Sequence, residues 1–307
     1  MSKSEQIEEL QEILRVDSEN YRARRELALI LIDSGFAKEA AQHLIYLLKK
    51  IPDDDGLYYN LGIAYEKQKI FDKAKIAYLK AIEISPNNFD AIYNLGLVYT
   101  ELNDFDKGIE CFKKILEQDE NDSNSYFNMA LCYFKKKDYI NAIINFQNTL
   151  DLNEDDIYAH FYIGNILFEM KDFEDAKDEF KRVTELSSDY SWAYYNLACI
   201  AFEEGNWEQV ITYLDKTLEL NPKDEGAYLN YALLLTKMNM YEKAKNIMNS
   251  AVENCPNKGQ ICYYMAHIAK AANENEDYIS CLNLALENRA TLEIDVDKVM
   301  AEIERAS

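Results

Sequence analysis

The stretch "YYNLGIAYEKQKIFDKAKIAYLKAIEISPNN", residues 58–88, is followed by "YNLGLVYTELNDFDKGIECFKKILEQDEND", residues 93–122, and then by "YFNMALCYFKKKDYINAIINFQNTLDLNEDD", residues 126–156. The three segments share spacing more than identity. Leu27-Ala28, Leu61-Gly62, Leu95-Gly96, Met129-Ala130, Ile163-Gly164, Leu197-Ala198, Tyr231-Ala232 and Met265-Ala266 recur every 34 residues without a slip. Such a fixed period marks a repeat architecture, in which a unit too small to bury its own apolar face leans on the next. Eight units begin at Tyr21, Asp55, Phe89, Ser123, Ile157, Ser191, Glu225 and Gly259; positions are counted from those residues.

Each unit holds two helical patterns. Positions 4, 7, 8 and 11 give an apolar face to a first helix, A, which in repeat 2 is Tyr58, Leu61, Gly62 and Tyr65. Positions 20, 24, 27 and 28 do the same for a second helix, B: Ala74, Tyr78, Ala81 and Ile82. Small residues at 8 and 20 let the two backbones cross closely. Position 15 is Gly35, Asn103, Gly205, Asn239 or Asn273 in five repeats, residues that tolerate the left-handed conformation ending a helix. Asp104, Asp138 and Asp172 follow it where an N-cap is expected. Pro52, Pro86, Pro222 and Pro256 all fall at position 32, where helix B must stop.

This pattern resembles the tetratricopeptide repeat family, across residues 21–290. The resemblance implies an all-α fold, an α-α superhelix of stacked antiparallel helix pairs, with A helices lining the inner side. The expectation is one continuous domain over 1–307: a capping helix in 1–20, eight repeats in 21–290 and a capping helix in 291–307. The last repeat is worn, with Tyr278 in place of the small residue at position 20 and Ala290 in place of proline. Beyond it, Leu292, Ile294, Val296, Val299 and Ile303 are available for burial.

Positions 2, 5, 6, 9, 12 and 13 turn away from the packed face. Position 6 is Asn60, Asn94, Asn128, Asn196 and Asn230, with Tyr162 interrupting. Position 5 is Tyr59, Tyr93, Phe127, Phe161 and Tyr195, then Leu229 and Tyr263. An amide offers donors and an acceptor to the backbone of an extended peptide, and rings add apolar area at low entropic cost. The asparagines resemble the ladder in the repeat superhelix of O-linked N-acetylglucosamine transferases, which implies a peptide groove. A rung every 8–10 Å would match about three residues of extended chain. His160, Phe161, Tyr162, Asn165, Phe168, Trp192 and Tyr195 cluster in repeats 5 and 6 as a candidate anchor site. Their alternative role is packing on one another.

The expected activity is therefore a protein-protein interaction adaptor; the alternative is a structural subunit that uses its outer or terminal surfaces. No three consecutive repeats supply the cations of a carboxylate clamp. Histidines occur only at His43, His160 and His267, and no nucleophile–base set or phosphate loop appears, so an enzyme is not expected. The six cysteines match no zinc spacing, and no cofactor or metal is expected. The net charge of -22 repels nucleic acid and anionic membranes and favours a neutral to basic, extended peptide partner. With no apolar run near the ~18 residues of a membrane span, the expected location is cytoplasmic.

Overall fold

In a computed structural model that describes residues 2–306, the described residues form eighteen α-helices and one 3-10 turn, with no strand. They fall into two compact units divided after Ala159.

The first unit opens with α1 (Lys3–Val16), then pairs α2 (Tyr21–Asp33) with α3 (Ala37–Leu48) and α4 (Asp55–Lys67) with α5 (Phe71–Ile84). It continues with α6 (Phe89–Glu101) and α7 (Phe105–Leu116), then α8 (Ser123–Lys135) and α9 (Tyr139–Leu152). The division falls near the start of α10 (Ile157–Glu169), and the second unit continues with α11 (Phe173–Leu186), α12 (Ser191–Glu203) and α13 (Trp207–Leu220), and α14 (Glu225–Lys237) and α15 (Tyr241–Asn254). Its last pair is α16 (Lys258–Ala271) and α17 (Asn275–Glu287), followed by the 3-10 turn Arg289–Thr291 and α18 (Val296–Ala306). Even-numbered helices from α2 to α16 are the A helices and the odd-numbered ones that follow them are the B helices.

The turn between A and B is made the same way in every repeat. All eight position-15 residues have positive φ, and they are the only such residues among those described. The sequence marks five of them. The other three are Lys69, Lys137 and Lys171, at φ 58°, 60° and 64°. A Cβ in this region costs roughly 1–2 kcal/mol, and the backbone bonds closing the turn, from the N–H of Ile70, Asp138 and Asp172 to the carbonyls of Tyr65, Tyr133 and Leu167 at 2.9 Å, offset that cost.

Helix starts differ from the expected caps. Of Asp104, Asp138 and Asp172, only Asp138 receives the capping bond, from the Asn141 N–H; Asp104 and Asp172 stand at the N-cap without one. The regular caps belong to the A helices. Asn20, Asp54, Asn88, Asp122, Asp156 and Asp224 accept from the N–H of Ala23, Leu57, Ala91, Ser125, Ala159 and Ala227. These acceptors sit at the end of the preceding repeat, so each loop serves the next helix.

Burial on the A helices is also wider than the sequence face. Positions 3 and 10 are buried along most of the array, for example Leu57 and Ala64, Ala91 and Val98, Ala193 and Ile200. An A helix packs on its own B helix and on the preceding one, and positions 3, 7 and 10 form the second stripe, a helical turn apart. The closest crossing is at position 8. A Cβ added at Gly62 would lie 2.4 Å from the Tyr78 ring, at Gly96 2.8 Å from Phe112, and at Gly164 2.8 Å from Phe180. Glycine at 8 accompanies a ring at 24 in repeats 2, 3 and 5, Ala198, Ala232 and Ala266 accompany Leu214, Met248 and Leu282, and repeat 4 departs from the match with Ala130 against Phe146.

The C-terminal helix begins at Val296, later than the expected 291, because the chain first makes a 3-10 turn and an extended stretch through Leu292. Leu292 and Ile294 still pack against the last repeat, and Val299 is fully buried. Glu302 accepts from the hydroxyls of Tyr263, at 3.1 Å, and Tyr278, at 2.8 Å. Burial alone would raise the Glu302 carboxyl, but these two bonds and the nearby His267 hold it below the usual glutamate range.

Two changes test this packing. Replacing Lys69, Lys137 and Lys171 singly by glycine should each stabilise by about 0.5–1 kcal/mol, read as a higher thermal midpoint; a lower midpoint would show that the lysine stems contribute more than the strain costs. Gly164→Ala should destabilise by about 1–3 kcal/mol through overpacking. Phe180→Leu in the same chain should recover part of that loss in a denaturation double-mutant cycle.

Candidate functional site

The position-5 rings lean on the ring at position 24 of their own repeat. The pairs are Tyr59–Tyr78 at 6.1 Å between centroids, Tyr93–Phe112 at 5.7 Å, Phe127–Phe146 at 5.4 Å and Phe161–Phe180 at 5.9 Å. All four position-5 rings are half-buried. Their inner faces are used within the repeat, and edge-to-face geometry suits the ring quadrupoles.

Where the ring carries a hydroxyl, the following repeat supplies its partner. The Asn128 amide nitrogen donates to the Tyr93 hydroxyl at 2.8 Å, Asn94 to Tyr59 at 3.5 Å, and Asn230 to Tyr195. Burial pushes the Tyr93 and Tyr195 phenols above their ordinary range, so they stay neutral. Where position 5 lacks a hydroxyl the pairing changes. After Phe127 the next position 6 is Tyr162, and after Leu229 it is Tyr264. After Phe161 it is Asn196, which turns to the Asn165 side-chain oxygen at 2.9 Å. Asn60 follows Arg25 and donates to the Gly56 carbonyl at 2.7 Å. The two rows read from the sequence are thus one inter-repeat zipper within each unit. In each bond the amide nitrogen is the donor, which leaves the amide oxygens of Asn94, Asn128 and Asn230 as acceptors still to be used.

The repeat 5–6 cluster is only partly brought together. His160 pairs with Glu179 on its B helix at 2.6 Å and is mostly buried, as position 4 requires. Phe161 is enclosed by Phe180, Tyr162 and Tyr190, the last at 5.2 Å. Trp192 is 53% exposed and lies edge-on to Tyr195. The position-12 rings lie against position 17, Phe168 tilted on Phe173 and Phe202 edge-on to Trp207, both at 5.5 Å.

The open space lies one repeat further on. A cleft of about 370 Å³ is lined by Tyr195, Cys199, Phe202, Leu214, Asn230 and Leu233, with Glu203 and Lys237 also on its wall. A second, of about 380 Å³, shares Asn230 and Leu233 and is completed by Leu229, Met248, Tyr264 and His267. Leu233, 53% exposed, stands on the wall of both. The position-12 rings Phe168 and Phe202, candidates from the sequence, border the first cleft, whereas sequence reasoning does not mark Leu233 and Lys237 as site residues. The available signal is the loss of aromatic residues at position 24, where Leu214 and Met248 replace the rings of repeats 2 to 5 and leave room.

Among the described residues no cluster of potential metal ligands is found, all six cysteines are free, and no helix is long and apolar enough to cross a membrane. Tyr93→Phe with Asn128→Ala should show a coupling energy of about 1 kcal/mol in a denaturation double-mutant cycle; additive effects would mean that the bond contributes nothing to stacking.

Known proteins show the same repeat. Tetratricopeptide repeat family models match residues 57–88, 89–122 and 201–261, and the model for anaphase-promoting complex, cyclosome, subunit 3 matches 109–183. No curated protein matches the chain. Among solved structures, yeast Tom70 is 18% identical, covers 94% of this chain and 64% of its own length, and has a TM-score of 0.59. A tetratricopeptide repeat protein from Parabacteroides merdae is 16% identical over 93% of this chain and 98% of that one, with a TM-score of 0.57. MamA from Desulfovibrio magneticus is 21% identical over 56% and 97%, with a TM-score of 0.54. At these identities the likeness speaks for the fold alone, and it agrees with the 34-residue period, the paired helices and the family matches: the chain is a tetratricopeptide repeat protein.

Proposed function

We propose that the chain is a protein-interaction scaffold that holds an extended peptide segment along its A-helix face and acts by binding rather than catalysis. The observation that carries this reading is the unused half of the zipper. Asn94, Asn128 and Asn230 each spend one amide N–H on a neighbouring tyrosine and keep acceptor oxygens to offer, beside rings that are half-exposed. In the second unit these groups border a cleft of about 370 Å³, within the ~300–1,000 Å³ range of ligand pockets. Asn60, Tyr59 and Phe127 in the first unit, and Asn196, Phe161, Tyr162, Asn165 and Trp192 in the second, are the remaining candidates on the A helices of each unit. The charge of -22 favours a neutral to basic partner and opposes nucleic acid and anionic membranes. A cytoplasmic setting fits six free thiols.

A second reading, a structural subunit docked through its B helices, is favoured by exposed isoleucines on that side: Ile76 at 60%, Ile140 at 71% and Ile144 at 51%. The two readings separate in one experiment. Peptides selected from a 12-residue display library on the intact chain should bind at least tenfold more weakly to Asn128→Ala or Asn230→Ala variants whose circular dichroism is unchanged. Ile76→Arg and Ile140→Arg should leave them unaffected. The reverse pattern would overturn the groove reading in favour of docking through the B helices.

A further inference from the structure

Resting on the groove reading, we infer that the two clefts flanking Leu233 take two apolar side chains from one extended, non-helical segment, with an N–H between the anchors donating to the Asn230 amide oxygen. The clefts are of nearly equal size, about 370 and 380 Å³, and lie in successive repeats of the same unit. Packed helices are about 8–10 Å apart. In an extended chain, side chains at i and i+2 point the same way about 6.6 Å apart, and leucine-sized side chains splay over the remaining distance. An α-helix could also span two sites with residues a turn or two apart, but its interior N–H groups are already bonded to its own carbonyls. The groove therefore favours a chain whose backbone hydrogen-bonding groups are unspent. Asn230 has its nitrogen on Tyr195, and the Tyr195 hydroxyl has Cys199 as a further neighbour. Asn230 keeps its second N–H and its amide oxygen, and the oxygen is the acceptor for an unspent N–H of the segment between the clefts.

Charge narrows the partner further. Glu203 and Lys237, both at position 13, line the first cleft, and neither has an ion-pair partner among the described residues; Lys237 lies over the Phe202 ring at 5.2 Å. The complement is a segment with one basic and one acidic residue beside the first anchor, the basic one toward Glu203. Order of charge then sets the direction in which the segment runs.

The test uses the full chain and a 12-residue display library with two fixed leucines two residues apart. Binders should be lost on Leu233→Arg, a change at an exposed residue. N-methylation of one amide between or beside the leucines should weaken the best binder about five- to tenfold, the worth of one hydrogen bond. That sensitivity should vanish in Asn230→Ala and persist in Asn230→Asp, which keeps an acceptor oxygen. Binders indifferent to Leu233→Arg but lost on Asn128→Ala would overturn the two-cleft inference and leave the groove reading standing. Binders that tolerate N-methylation at every central amide, or that bind tighter when stapled as helices, would overturn it equally. Binders indifferent to every groove variant would remove the groove reading itself.

Discussion

The close approach of position 8 to the ring at position 24 sets the packing of repeats 2, 3 and 5. The two helices of a pair cross where glycine leaves no room for even a methyl group against the facing ring, as at Gly62 and Tyr78 or Gly96 and Phe112. That ring is fully buried and fixed. The position-5 ring then leans on it, and its hydroxyl is carried to the place where the next repeat presents an asparagine. A choice made in the core is in this way transmitted to the surface, through contacts that are each modest and together specify the stacking of neighbours. Repeat 5 keeps the first two links, Gly164 with Phe180 and Phe161 leaning on it, and breaks the third because phenylalanine has no hydroxyl. Asn196 finds Asn165 instead.

Much of the fold is legible in the chain because period is a property of spacing, which survives substitution. The paired small residues, the prolines at position 32 and the glycines and asparagines at position 15 all carry local physics. Lys69, Lys137 and Lys171 escape such a reading, since their backbone conformation belongs to the hydrogen-bonded turn and is not preferred by the residue. The capping residues Asn20, Asp54, Asn88 and Asp122 escape it for another reason. They close one repeat while serving the next, so a unit viewed by itself assigns them no helix. Positions 3 and 10 look ordinary in a single amphipathic helix and become buried only when a second neighbour arrives.

The candidate site is legible in its residues and not in their partners. Sequence places amides and rings on one face. It cannot show that a tyrosine hydroxyl 35 residues away will take the amide nitrogen, as it does for Asn128. It also points to the most aromatic stretch, repeats 5 and 6, of which Phe168 and Tyr195 border the first cleft, while both clefts open where position 24 has lost its ring. Leu214 and Met248 are the reason: aliphatic side chains at position 24 fill less volume than Phe146 or Phe180, and the space reappears beside Leu233. A richly aromatic region is well filled for the same reason that it attracts notice.

The tyrosine–asparagine bond also bears on how such a chain can lengthen or shorten over evolutionary time. Excising residues 89–122 would bring Tyr59 directly ahead of Asn128 and keep a matched junction, whereas excising 123–156 would leave Tyr93 facing Tyr162. Units with the same outline are therefore not freely interchangeable. Each cut must respect a grammar of neighbours, and duplication or loss is tolerated best where donor and acceptor still meet across the scar.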